Sequence, residues 1–399
     1  MPSVVTAPPP SVAHTSTRRT VGAVFFVHGL LFASWAAHIP HVKARVGLSD
    51  GGLGLVLLAT PVGSILAMAI GAYLLPRVGS RLMVSVCLVG YCASGPFVGV
   101  ATSPAGLAAA LLVWGAFQGT LDVSMNTQAV AYQGAIGRPI MSGMHGRWSL
   151  GALAGAGAGA LGVGIGVSLT VQLIALGAAA LPLLWWALRL PEGKAEEPHE
   201  SHARLSIRRW PRTVLLLAAV AFASMLCEGA AADWSAVYLK NSLGAAAVVA
   251  SLGYAFFAAA MVLVRLVGDA LIARRGAGRV VAALCVVATV GFAAGLASGN
   301  VVVSLIGLAT LGGGVATVVP TVFSAAGALP NVAPSSGIAA VSACGWAGFV
   351  CGPPLIGQLA SATSLRLALG IVPVLTAFIA LALGARSARA RRNISEFAG

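Results

Sequence analysis

Four side chains at intervals of four, Trp114, Gln118, Asp122 and Asn126, share one stripe if the segment around them is helical. The rest of the segment is mainly Ala, Leu, Val and Gly. An indole, two amides and a carboxylate on one face describe the wall of a cavity for a polar solute. A carboxylate in so apolar a segment can also take up and release a proton, which proton coupling requires. The competing reading is structural: Asp122 pairs with an arginine or bonds across a helix interface. Glu228 is a second acid inside an apolar segment and the next candidate for solute contact or coupling. His28 is a third, either a site residue sharing the proton or a satisfied core histidine.

Other polar groups suggest gates. Asp233 and Trp234 stand near the far boundary of the Glu228 segment, Asp233 as a gate or cap and Trp234 as an interfacial aromatic. Arg265 and Asp269 are four apart and can neutralise each other on one helix. His145 and Arg147 lie one to two turns inside their segment, where Arg147 either snorkels to headgroups or turns toward Asp122. An ionisable group in such a segment costs about 3 kcal/mol by insertion scales, so each demands a partner or a task.

These residues need a frame, and the frame is a membrane. Hydrophobic residues make up 58% of the chain and charged ones 9%, with a mean hydropathy of +0.93. Apolar runs long enough to cross a bilayer recur throughout, among them 21–39, 105–132, 140–165, 213–238 and 245–272. The pattern predicts an all-α membrane protein of twelve transmembrane helices in two pseudo-symmetric six-helix bundles. Its divisions are a disordered tail (1–19), a first bundle (20–190), a polar linker (191–212), a second bundle (213–386) and a basic tail (387–399). In the fifth span Gly151, Gly155 and Gly159 repeat every fourth residue, a surface for close helix packing. Gly312–Gly314 and Pro320, and later Pro353 and Pro354, weaken the helical ladder where bends are useful.

The net charge of +14 follows the same plan. Most arginines fall in alternate loops, the linker and the tails, whereas Lys43, Arg45, Lys240 and Arg366 fall on the other side. The positive-inside rule then sets both termini in the cytoplasm. The charge is therefore a topology signal, and no nucleic-acid partner is expected. The cysteines lack a CxxC pair, so no metal, disulfide framework or other cofactor is expected.

The halves echo one another: Gly71, Arg77, Gly79 and Arg81 after the second span return as Gly268, Arg274, Gly276 and Arg279 after the eighth. The six-plus-six plan and this basic turn resemble the major facilitator superfamily. The turn is a degenerate copy of that family's G-x3-D-R-x-G-R-R motif, with Pro76 at the acidic position. The resemblance implies a gating role for Arg77 and Arg81. Within the superfamily, Asp122-x3-Asn126, Phe25-Phe26-Val27-His28-Gly29 and Ile39-Pro40-His41-Val42-Lys43 resemble the fucose and galactose permease branch. That likeness implies proton coupling and sugar contact at Asp122. It stops at Trp35-Ala36, where the branch often has Asn-Asp, so a mechanism needing both acids is closed to this chain. The Glu228-Gly229 and Asp233-Trp234 string, with Gly352–Gly357, resembles a set of bacterial inner-membrane permeases and carries no substrate with it.

The expectation is a secondary transporter, monomeric and not an enzyme, in the bacterial inner membrane, carrying a small polar solute with protons. Proton-driven export of an apolar or cationic compound is the rival within the class. A non-transporting receptor is the rival outside it, and an embedded enzyme lacks a nucleophile or metal cluster in the sequence.

Overall fold

Inside a bilayer no water satisfies the backbone, so each crossing must close its own hydrogen bonds as a helix. The computed structural model describes residues 12–136, 140–191, 210–329, 332 and 334–397, and no strand occurs among them. The first half holds α1 (Val12–Ala36), α2 (Ile39–Val46), α3 (Asp50–Leu57), α4 (Ala59–Val78), α5 (Ser80–Val100), α6 (Pro104–Ile136), α7 (Met141–Gly164), α8 (Leu169–Ala180) and α9 (Pro182–Ala187). The second holds α10 (Arg212–Val237), α11 (Ala247–Ser251), α12 (Gly253–Arg275), α13 (Ala277–Ser298), α14 (Val301–Val315), α15 (Val318–Gly327), α16 (Pro334–Ala362), α17 (Leu365–Ala368) and α18 (Ile371–Phe397).

Among the described residues 11 helical segments are long and apolar enough to cross a membrane. The twelfth crossing is α7, whose 24 residues suffice in length but whose many glycines dilute its hydropathy. Short helices pair with longer ones to complete several crossings: α3 with α4, α8 with α9, α11 with α12, α14 with α15, and α17 with α18.

Three boundaries differ from the sequence expectation. The tail assigned to 1–19 is helical from Val12, since nothing after Pro10 breaks a helix and α1 simply starts early. The first span does not run to residue 39 but ends at Ala36, with Pro40 opening the separate α2. The tail assigned to 387–399 continues α18 to Phe397. Most of the expected linker, 192–209, lies outside the described residues.

The doubling seen in the sequence is repeated in the packing. An ideal Cβ on Gly151 would stand 2.0 Å from Phe26 O and one on Gly155 2.1 Å from Leu30 O, so α7 lies backbone to backbone on α1. In the second half Gly348 stands to Phe222 O, at 2.2 Å, as the same contact between α16 and α10. Likewise Gly115 meets Thr60 O at 2.1 Å between α6 and α4, and Gly312 meets Phe257 O at 2.0 Å between α14 and α12. Gly312 is thus a packing residue, and the bend follows it at Ala316–Thr317. The turns that echo in sequence also match in shape: Gly79 has φ 82° and Gly276 φ 84°, a region L side chains avoid. Gly155→Val is expected to destabilise the first bundle by about 1–3 kcal/mol by prising α7 from α1. Thermal unfolding in detergent, with loss of the monodisperse peak, checks it.

The two sides of the molecule are the linker side, where α9 ends and α10 begins, and the opposite, far side. On the far side each cation that breaks the charge asymmetry has a local task. Arg45 donates to Ala101 O (3.1 Å) and Val98 O (3.4 Å), closing the end of α5. Arg366 does the same at α13 through Ala297 O (2.8 Å) and Leu296 O. Basic groups at helix C-termini meet both the free carbonyls and the dipole. Lys43 pairs with Asp50, and Lys240 donates to His41.

The halves meet along that far side. Gly51 N donates to Ser361 Oγ (2.7 Å), Gln358 Nε2 donates to Gly51 O (3.3 Å), and α3 packs on α16 at Gly54 and Gly357.

Candidate functional site

Between the halves, on the linker side of this seam, lies a cavity of about 350 Å³, within the usual range for small-molecule sites. α6 contributes Trp114, Gln118 and Asp122 to its wall, three of the four residues in the sequence stripe. Asn126 is one turn further on and outside the wall. Its Nδ2 donates to Asp122 O (2.8 Å) and Oδ1 (3.3 Å), so it holds the carboxyl that the others present.

α10 presents Glu228 and Asp233 to the same space from the other half. Neither makes a hydrogen bond or ion pair among the described residues. Asp233, expected as a gate or cap near the outer boundary, lines the cavity itself. Trp234, expected in an interfacial belt, is instead 0% exposed. Adjacent positions on a helix point about a quarter turn or more apart, so a cavity-facing Asp233 leaves Trp234 to the bundle interior.

Arg265 also reaches the cavity. Its Nε donates to Ala316 O (3.1 Å) and its Nη1 to Ser149 Oγ (2.9 Å), so it bridges the second half to the first. The side chain of Asp269 lies outside the described residues, and with it the expected intrahelical pair. Arg265 and Glu228 line the same cavity, within electrostatic reach of each other.

His28 is in the wall but engaged on both ring nitrogens. Trp148 Nε1–H donates to Nδ1 (2.8 Å), which leaves the ring proton on Nε2 to donate to Gln118 O (3.3 Å). A second proton on Nδ1 would set two donors head to head. Of the two expectations for His28, this is the arrangement of a satisfied histidine, set here in the cavity wall. What the residue does in this arrangement is fix the Trp148 indole at the cavity, with its own ring stacked on Tyr91 (5.5 Å) and Tyr91 on Trp114 (5.2 Å).

The remaining gate candidates separate. His145 lines the cavity and meets Phe25 edge to face at 5.5 Å. Arg147 is not turned toward Asp122: Nη1 donates to Gly143 O (3.1 Å), and its stem lies where a Cβ on Gly22 would be. Arg77 bends over the Tyr73 ring (3.7 Å) and donates to Tyr73 O (2.5 Å), so it grips its own helix. Arg81 is half-buried at the same turn. The sequence has Pro76, and so no carboxylate, at the acidic position of the motif this turn resembles.

Sequence reasoning missed Trp148, Ser149 and Tyr254 in the wall, and Arg265 as part of it. A helical signal existed for each. Trp148 and Ser149 follow His145 by three and four positions, and Arg265 follows Tyr254 by eleven, three turns along one face.

On the far side, Lys240 Nζ donates to His41 Nε2 at 3.4 Å across the two halves, a contact that requires the neutral imidazole. Burial first, then the charge of Lys240, then His38 hold His41 below its ordinary value of 6.5. His38, its ring 6.4 Å away and bonded to Gln172 Oε1 (2.9 Å), is held down by burial in the same way. The closed far side therefore binds this proton less tightly than a far side opened to water, and acid favours opening. As pH falls through 6.5 the closed-to-open ratio is expected to drop by a few fold, a modest effect because the pair is exposed. Spin-label distances across the far side at pH 7.5 and 5 check it, and His41→Gln should flatten the response.

A family model described as the Major Facilitator Superfamily matches residues 21–335. An uncharacterized MFS-type transporter of Yersinia pestis is 35% identical over 89% of this chain and 92% of its own length. Membrane protein MosC of Rhizobium meliloti is 32% identical over 92% of this chain and 89% of its own. Among solved structures, a mutant form of the nucleoside transporter NupG aligns with a TM-score of 0.74 at 13% identity, over 92% of this chain and 99% of that one. A bacterial homolog of the human lysosomal transporter Spinster, inward-facing and occupied, aligns with a TM-score of 0.71 at 14% identity, over 95% of this chain and 98% of that one. Both structural likenesses concern the fold.

Proposed function

The chain belongs to the Major Facilitator Superfamily, whose members are secondary transporters working by alternating access, and from that premise we propose proton-coupled symport of a small polar, sugar-like solute. The observation that carries this reading is a single cavity in which Asp122 and Gln118 of one half face Glu228 and Arg265 of the other. A solute bonded to both sets bridges the seam, so its binding energy bears on how the halves sit. Indoles offer flat faces to a ring, and the amide and carboxyls offer partners for its hydroxyls. In this reading Asp122 carries the proton, Glu228 is the second acid, and Trp114 and Gln118 touch the solute. A fold shared with a nucleoside transporter is in keeping with a solute of this kind.

The chain then works as a monomer in the bacterial inner membrane, with both termini cytoplasmic, the linker side inside and the far side outside. The asymmetry of Lys and Arg supports that orientation. The rival, proton-driven export of an apolar or cationic compound, draws on the same acids and on the Trp35, Trp346 and Phe349 walls.

Purified protein in proteoliposomes, with an alkaline interior and a panel of labelled hexoses, pentoses and nucleosides outside, tests the proposal. The expected result is accumulation of one compound class above its external concentration, collapsed by a protonophore. Accumulation indifferent to the protonophore removes the coupling, and extrusion rather than uptake selects the rival.

A further inference from the structure

The charges facing the cavity do not balance. Its wall holds three carboxyl side chains, Asp122, Glu228 and Asp233, and one guanidinium, that of Arg265. Two of the acids have company. Asp122 accepts from Asn126 (3.3 Å), and Glu228 lies within electrostatic reach of Arg265. Asp233 has no hydrogen bond and no ion pair among the described residues, and Arg265 is committed to Ala316 O and Ser149 Oγ. An ionised carboxylate at membrane depth without donor or cation is costly.

The neighbourhood of Asp233 is also distinct. α10 runs from the linker side to the far side, which places Asp233 more than a turn beyond Glu228 toward the far seam. Trp35, in the last turn of α1, and Tyr254, in the first turn of α12, line the same far end of the cavity. Tyr254 lies within electrostatic reach of Glu228 and Arg265 as well as of Asp233, and its ring is braced by stacking on Phe257 at 5.7 Å. An unengaged carboxylate with aromatic walls at a closed end suits an ammonium group, which gains both the ion pair and the ring faces.

We propose that the transported solute carries a protonated amine, and that Asp233 receives it at the far end of the cavity between Trp35 and Tyr254. The polar remainder of the solute then points toward Gln118, Asp122 and Arg265. This rests on the reading of the cavity as the solute site and narrows the solute from polar to polar and monocationic. Asp233 is by this account the residue that sets specificity, whereas Asp122 is the one that couples.

Binding and uptake are measured separately on the full-length protein with matched trios, each an amine, its N-acetyl derivative and the hydroxyl parent, built on hexose, nucleoside and aryl-alkyl scaffolds. In wild type at least one amine is expected to bind about tenfold or more tightly than both of its partners, the scale of a charge-assisted bond in a desolvated site. Asp233→Asn should erase that preference by weakening the amine alone, and Asp233→Glu should keep most of it. Thermal unfolding of both variants confirms that they fold. Equal binding within every trio, no amine bound at all, or a preference surviving in Asp233→Asn overturns the proposal. So does a variant that keeps its preference and loses proton movement, which would make Asp233 a proton carrier. Amine-selective binding without proton-driven uptake would leave this proposal standing and sink the symport reading, so the two fail separately.

Discussion

Asp122→Asn is expected to lower proton-driven uptake by about a hundredfold while leaving solute exchange across the membrane within about tenfold of wild type. The substitution exchanges one carboxyl oxygen for an amide nitrogen and keeps the shape. Asn126 can still donate to the remaining oxygen, which it now reaches at 3.3 Å, so the α6 stripe should hold its geometry. What the amide cannot do is gain and lose a proton as the halves rock. Exchange, in which loaded carrier returns without releasing its proton, does not ask that of it. The split between the two rates is therefore the diagnostic, because a merely structural Asp122 would lower both together. Measuring pH changes inside proteoliposomes alongside labelled solute separates them. If uptake in the variant still follows the proton gradient, the coupling role passes from Asp122 and Glu228 becomes the group to test.

The α6 stripe is legible in the sequence because a four-residue spacing survives any uncertainty in helix ends. The same holds for Gly151, Gly155 and Gly159, whose period alone says that another helix lies close, and the structure puts α1 there. The doubled basic turn is readable for a different reason. Its glycines must adopt φ near +80°, so Gly79 and Gly276 mark the same corner in each half. What spacing does not carry is direction across the seam. Spacing places Arg265 on a helix face but does not say that its Nη1 reaches Ser149 of the other half. Spacing leaves Arg147 two destinations, and only packing against Gly22 in α1 excludes the inward one. His28 is ionisable by residue type alone. The Trp148 donor that blocks its second proton lies 120 positions away in the chain. Periodicity reports which residues share a face, and only the fold reports what that face meets.

Gly54→Val is expected to hold the far side open and to reduce transport by a factor set by that bias. An ideal Cβ on Gly54 would stand 2.4 Å from Pro353 O and 3.1 Å from the Gly357 Cα, both in the opposite half. These are backbone atoms, so no rotamer change relieves the overlap. Pro353 sits within α16 beside Pro354, and its ring fixes the local backbone, which further limits adjustment. The seam must therefore part to admit the side chain. A penalty of about 1–3 kcal/mol on the closed state lowers the closed-to-open ratio by about 5- to 150-fold. The same residue costs little in the state where α3 and α16 are apart, so folding of either half is spared. Nitroxides at the exposed Ala105 and Val302, which sit at matching places in α6 and α14, read the far-side separation directly. Their distance should lengthen in Gly54→Val and change less in Gly54→Ala, which adds one carbon to the same space. Since a carrier must close each side in turn, a protein held open on one side binds solute but returns slowly. Binding should then persist while both uptake and exchange fall, the opposite of the split expected at Asp122. An unchanged distance with normal transport would show that the seam at Gly54 yields, and the gate would have to be sought at the contact of Val248 with Gly164 instead.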